Sequence, residues 1–341
     1  VLWVAPDAWA AFLPGALEQS GASQPEPLPA LLQQAQTALD TGDLVQAALL
    51  LRRILELQPD HRLARQALVD TLMRRGEWEE AGREAAKLLE RFPEDADSIY
   101  LAAAVAFRRN EFQRAVQLAD KVLALKAGHR QAAAYRLRAF SHFMLEDYEG
   151  FRHDLEQLLA VDPANADAHY HLGRYYYENQ QFNEGLAALE RAVALDPSHY
   201  KAHYFLGWCR QAQGDLAAAE AGYRRSIEVV EARHVRYGWP YTDLGELLVT
   251  KGDYAGGLSW LYRGIRNDPD LPYSRYKYAS ALMREQATPE VEEHLLKAVE
   301  LDPGYTEAFY LLGRYYQAVG EMEKAKSAFA RFQELRRNPV A

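Results

Sequence analysis

Four histidines raise a question about metal chemistry, because His169, His171, His199 and His203 stand close together and imidazole is a common metal ligand. Cys209 is the only cysteine, so neither an intrachain disulfide nor a cysteine zinc knuckle can form, and the redox compartment stays undecided. No phosphate-binding loop, nucleophile elbow or zinc-protease motif occurs, and the abundant Asp and Glu are accounted for by solvated helix faces. The residue types that do gather are those of binding surfaces. Of the 21 tyrosines, 20 follow residue 130. Tyrosine, tryptophan and arginine bury much area with few rotatable bonds and keep a polar tip. The expectation is a chain without catalytic residues, cofactor or metal that works by contact.

Such a surface needs a scaffold, and 341 residues, 49% hydrophobic and 26% charged, hold enough apolar content for a large core. The 39 Lys and Arg against 48 Asp and Glu give a net charge of −9, the wrong sign for binding a phosphate backbone, so no nucleic-acid partner is expected. No run reaches the ~18–20 apolar residues that span a bilayer. The opening "VLWVAPDAWAAFLPGAL" carries Trp3, Trp9 and Phe12 with only Asp7 charged. It reads either as the edge of an exported or membrane-attached extracytoplasmic chain, tethered through residues preceding Val1, or as a helix packed on the fold, with a cytoplasmic location as the alternative. "SGASQPEPLP" then reads as a Pro-rich linker, so residues 1–27 form an apolar extension and residues 28–341 the remaining domain.

That domain is periodic. Pro59 and Pro93, Pro163 and Pro197, and Pro269 and Pro303 are each 34 residues apart, a period that belongs to helix-turn-helix arrays. Each proline ends a helix, since its ring and missing N–H stop the helical ladder. Between the prolines lie second stops such as "TGDL" at 41–44, "RGEW" at 75–78, "QGDL" at 213–216 and "KGDY" at 251–254, where Gly or Asn tolerates a positive φ. These marks give nine units starting near residues 28, 62, 96, 132, 166, 200, 238, 272 and 306. The fourth starts late, after "KAGH", and the sixth carries four extra residues near 234–237 that lengthen its second helix or loop. The word "LGRYY" at 172–176 and 312–316 is one repeat position met twice.

The units resemble tetratricopeptide repeats (TPR). In "HYHLGRYYYENQQFNEGLAALERAVALDP" the resemblance rests on Leu172, Gly173, Tyr176, Phe182, Ala192 and Pro197, with Gly185 in place of a small Ala; the next unit matches through Leu206, Gly207, Gly214, Ala219 and Tyr223. The resemblance implies an all-α superhelical solenoid of about nine repeats in which first helices line a concave groove. It also places His169 and His203 at a packing position, which argues against the metal site. Cys209 reads as a small buried residue.

Residues at the second, fifth, ninth and twelfth places of each unit then face the groove. They are unremarkable in the first two units, as Leu32, Gln36, Gln66, Asp70 and Met73. From the third unit on they are Tyr100, Phe107, Arg136, Phe140, Phe143, Tyr170, Arg174, Tyr177, Tyr204, Trp208, Trp239, Tyr273, Tyr276, Tyr310 and Arg314. Tyr175, Tyr176, Tyr315 and Tyr316 are expected to pack between helices. The lysine–asparagine clamp with which chaperone-binding relatives hold a C-terminal carboxylate is missing, and so is a groove ladder of asparagines. The expected function is a non-enzymatic scaffold that binds a partner protein or peptide in the aromatic groove. The alternatives are a polysaccharide-binding component of an export system, or the soluble repeat domain of a larger membrane-bound transferase.

Overall fold

A computed structural model describes residues 27–337, and within them every regular element is an α-helix. Expectations that fall on residues 1–26 and 338–341 lie outside the described residues. The helices pair as nine hairpins: α1 (Leu28–Asp40) with α2 (Leu44–Leu57), α3 (Arg62–Arg75) with α4 (Trp78–Arg91), α5 (Ala96–Arg108) with α6 (Phe112–Ala124), and α7 (Gly128–Met144) with α8 (Tyr148–Val161). The series continues with α9 (Ala166–Glu178) and α10 (Phe182–Leu195), α11 (Tyr200–Ala212) and α12 (Leu216–Ala232), and α13 (Trp239–Thr250) and α14 (Tyr254–Asn267). It closes with α15 (Pro272–Glu285) and α16 (Pro289–Leu301), then α17 (Thr306–Ala318) and α18 (Met322–Arg337). The chain divides into two compact units, the first four hairpins ending at Pro163 and the last five beginning at Ala164.

Local chemistry fixes many of the helix ends. The side chains of Asp43, Asp95, Asp147, Asn165, Asp215 and Asp253 accept from a backbone N–H three residues on, a cap worth about 1 kcal/mol each. The residue before each terminal proline leaves the helical region, with φ between −129° and −137° at Gln58, Phe92, Asp162, Asp196, Asp268 and Asp302.

Mid-hairpin turns close on one left-handed residue: Gly42, Gly76, Asn110, Glu146, Gln180, Gly214, Gly252 and Gly320. From the second hairpin on, these turns carry the paired backbone bonds of a Schellman motif, as where Gln181 N donates to Tyr176 O at 2.8 Å. The eighth hairpin turns instead through an extended Gln286, and Pro289 opens α16 at its tolerated first turn. In the fifth hairpin the positive φ falls on Gln180, one residue after the asparagine of "NQQF", and in the fourth on Glu146. The two joints that lack a proline end in further left-handed residues, Lys126 and His234.

The first of those joints also corrects a boundary. With no proline before it, α7 begins at Gly128 rather than near 132, because nothing stops Gly128–Arg130 from joining the first turn. The extra residues of the sixth hairpin extend α12 to 17 residues, against 13 or 14 in the second helices of the other internal hairpins, and lengthen the loop after it.

In the C-terminal unit the first helix crosses its partner on glycine in four hairpins, at Gly173, Gly207, Gly245 and Gly313, and on Ala279 in the eighth. A Cβ on Gly245 would lie 2.8 Å from Gly257 O, and one on Gly257 would lie 2.7 Å from Gly245 O, so α13 and α14 touch backbone to backbone. The first hairpins use alanine at the matching places, where Ala35, Ala47, Ala81 and Ala115 are all buried.

Candidate partner-binding face

The expected groove residues divide by burial. Tyr100, Tyr170 and Tyr204 are 1%, 6% and 2% exposed, which corrects their assignment to a contact surface: in these three hairpins the fifth place supplies bulk that fills the seam between neighbouring first helices. Tyr100 lies under the Arg130 guanidinium at 4.9 Å. Phe107 packs edge-on against Phe112, and Phe140 and Phe143 pack against Phe151. Arg136 is half-buried, and its Nε has no hydrogen-bond partner among the described residues. Tyr310 is exposed beside Phe332 at the far end of the chain, near an exposed Arg314. Tyr175, Tyr315 and Tyr316 are buried as packing residues, while Tyr176 is half-buried.

The remaining residues form one patch in the C-terminal unit. Tyr177, Trp208, Trp239, Tyr273 and Tyr276 are half-buried, all on first helices. Tyr177 meets Trp208 at 5.1 Å, Trp239 stacks on Tyr273 at 4.8 Å with planes 24° apart, and Tyr276 meets Tyr305 at 5.2 Å. Arg174 borders the patch, held by Glu178 at 2.7 Å and lying over Phe205.

The organising group is Asp243, which sequence reasoning missed. Its Oδ2 accepts from the Tyr204 hydroxyl and from Trp208 Nε1, both at 2.6 Å, and its Oδ1 accepts from the Tyr273 hydroxyl at 2.7 Å. Three helices are thereby pinned to one carboxylate. Asp243 is only 6% exposed, and burial raises its pKa above the ordinary carboxylate value, opposed by the three donors that stabilise the anion. The same carboxylate helps burial lift the Tyr204 and Tyr273 hydroxyls far above the ordinary tyrosine value, so both stay protonated donors. One turn on, Glu246 accepts from Lys277 Nζ at 2.6 Å. Asp243 sits at the sixth place of its unit, where four other hairpins have Leu101, Leu137, Phe205 and Leu311 and four have Gln33, Ala67, His171 and Lys277, so its being the one acid there is a weak signal.

The histidines take structural roles. His199 Nδ1 caps α11 by accepting from Ala202 N at 3.1 Å, while its Nε2 lies 3.2 Å from Asp167. His203 Nε2 lies 3.1 Å from Pro197 O, and His171 packs on Tyr170. Burial pushes the His171 pKa down to about 4 and keeps it neutral. Among the described residues no group of three His, Cys, Asp or Glu could hold a metal, and no helix is long and apolar enough to cross a membrane. An open cleft of about 490 Å³ lies beyond α12, but its Arg236 and Arg263 already pair with Asp268, Asp270 and Glu231.

Comparison with known proteins places this architecture. Family models described as tetratricopeptide repeat match residues 38–105, 141–182 with 170–232, and 306–339, together more than half of the chain. These matched spans lie clear of Lys126 and His234. Among curated proteins, anaphase-promoting complex subunit 3 of Dictyostelium discoideum is 33% identical over 69 residues, which are 20% of this chain and 7% of that protein. The TPR repeat-containing thioredoxin TTL4 of Arabidopsis thaliana is 34% identical over 82 residues, 24% of this chain and 12% of that protein. The chain thus spans about a tenth of the length of these relatives.

Two solved structures share the fold. The APC/C heterotetramer Cut9–Hcn1 has a TM-score of 0.57 at 16% identity, covering 84% of this chain and 55% of that one. A tetratricopeptide repeat protein from Parabacteroides merdae has 0.53 at 15%, covering 80% and 98%. Periodic hairpins, glycine and alanine crossings and these matches agree, and the chain belongs to the tetratricopeptide repeat family.

Proposed function

We propose that this protein is a non-enzymatic interaction scaffold whose C-terminal unit binds an extended segment of a partner polypeptide along its first helices. The observation that carries the reading is the half-buried patch of Tyr177, Trp208, Trp239, Tyr273 and Tyr276, in which Trp208 and Tyr273 are fixed by Asp243. Rings already held in place lose little entropy on binding, and amphipathic rings can meet both side chains and backbone of an extended chain. The exposed Tyr262 and the half-buried Trp260 both stand on α14, the second helix of the seventh hairpin, and are not part of this patch. The relatives lend no support to a polysaccharide ligand or membrane attachment, and neither is part of this reading.

The test is site-specific photocrosslinking in extracts of the native cell, with the photoreactive residue at position 276 or, as a control, at position 262. One polypeptide, crosslinked through a contiguous segment at 276 and not at 262, is the expected result. Identical products at both positions, or no polypeptide product at 276, would remove the groove as a protein site. Tyr204 is unsuitable as a probe because its loss would disturb the core.

A further inference from the structure

The groove reading leaves open what chemistry the bound segment brings, and the tryptophans answer it; this inference rests on that reading. Four tryptophans stand among the described residues. Trp78 on α4 lies under the Arg108 guanidinium at 5.8 Å, and Trp260 on α14 lies under Arg263 at 3.8 Å and Arg224 at 5.5 Å. These second-helix rings already hold an intrachain cation. Among the described residues, Trp208 and Trp239 on the first helices face no such cation.

Two further observations concern the same rings. Trp208 and Tyr273 each donate to the buried Asp243 carboxylate, and a ring that donates to an anion gains electron density on its face. Trp239 stacks directly on Tyr273 and shares that environment. The Lys277 ammonium, paired with Glu246 at 2.6 Å, lies beside the adjoining rings, 5.3 Å from the Tyr273 centroid and 6.0 Å from that of Tyr276. The overall charge of −9 adds a long-range pull on basic segments.

We propose that the half-buried faces of Trp208 and Trp239 receive an organic cation of the partner segment, a lysine ammonium or an arginine guanidinium, above the buried negative charge of Asp243. The segment bound along the first helices is thus a basic one, anchored by cation–π contact.

The experiment follows the indole N–H signals of the full chain by NMR during titration with N-acetyl-lysine methylamide, N-acetyl-arginine methylamide and the uncharged N-acetyl-norleucine methylamide. Saturable shifts of the Trp208 and Trp239 signals with a cationic probe, and none with norleucine, are expected; the probe that saturates at lower concentration identifies ammonium or guanidinium. Trp239→Leu and Asp243→Asn should each weaken binding roughly tenfold. Tyr273→Phe removes one donor and keeps the ring, so it reports on the carboxylate network should Asp243→Asn fold poorly, and it should weaken binding in the same direction. Trp260→Leu should leave the titration unchanged. Equal shifts with norleucine, or unchanged binding in Trp239→Leu and Tyr273→Phe, overturn the inference. A segment crosslinked at position 276 while both cationic probes are ignored defeats the cation alone; probe binding without any crosslinked polypeptide defeats the groove reading instead.

Discussion

The two compact units are built from the same hairpin yet solve the burial of charge in opposite ways. In the N-terminal unit a buried carboxylate meets a guanidinium: Asp154, 1% exposed, takes two bonds from Arg138 at 2.9 and 2.5 Å, and Arg138 also reaches Asp120. Arg65 likewise pairs with Glu84. In the C-terminal unit Asp243 is held by two tyrosines and a tryptophan, all uncharged. An ion pair closes its field on itself, whereas a carboxylate held by neutral rings passes its charge to their outer faces. Repeats that share a backbone can therefore differ in whether they present an inert surface or a polarised one.

The comparison can be broken most directly by removing each carboxylate. Asp243→Ala strands three donors and should cost about 4 kcal/mol. Asp154→Ala leaves Arg138 with Asp120 and should cost about 3 kcal/mol. Hydrogen exchange resolved along the chain should place the first loss in α11, α13 and α15 and the second in α7 and α8. The distinguishing case is the double replacement Asp154→Leu with Arg138→Met, expected within about 1 kcal/mol of wild type because both charges leave together. An equal cost for that double variant and for Asp154→Ala would contradict the account of a buried carboxylate whose charge is balanced by its guanidinium.

Acid should separate the units next. His171 has its pKa lowered from 6.5 to about 4 by burial, so the unfolded chain takes a proton that the folded chain refuses. Its contribution is fully present above pH 6.5 and is lost as pH falls toward 4. Between pH 7 and pH 5 this amounts to about 2 kcal/mol, and His171→Phe should flatten the dependence. Denaturant unfolding at the two pH values, with exchange read at α9, checks it; an unchanged slope in the variant would assign the acid sensitivity elsewhere. Asp243 titrates with its pKa displaced upward, so its contribution is present below the ordinary carboxylate value and declines as pH rises through the raised one.

The smallest effect concerns what the units share. Glu146 and Gln180 occupy left-handed turns in the N-terminal and C-terminal unit respectively. Replacing either with glycine should stabilise by about 1 kcal/mol. Equal gains in thermal unfolding would show the turns to be equivalent and confine the difference to side chains; a gain in only one would extend the difference to the backbone.

The scaffold was legible in the sequence because its stops are chemical: a proline must leave the helix, and a left-handed turn favours glycine. The surface was harder to read. A spacing rule names a face, but Tyr100, Tyr170 and Tyr204 point into the seam between neighbouring helices, so part of that face is core. Asp243 escaped because the rule passes over the sixth place, and a single sequence shows an acid there without showing three donors from residues up to 39 positions away. Gln180 took the turn from Asn179 because the position of the closing bonds, rather than residue preference, decides which residue turns left-handed.

The left-handed residues also mark where this chain can be recombined. Positions 42, 76 and 110 keep a strict period, as do 146, 180 and 214, and the phase resets after Lys126 and again after His234. The natural exchangeable segment is therefore three hairpins, with crossover points at those two joints. A chimera joined there inherits each block in register. One joined inside a helix with the two-residue offset rotates everything downstream by about 200°, turning the buried stripe to solvent, whereas the four-residue offset costs only about 40°. Of the two irregularities, the shorter is the greater barrier to shuffling.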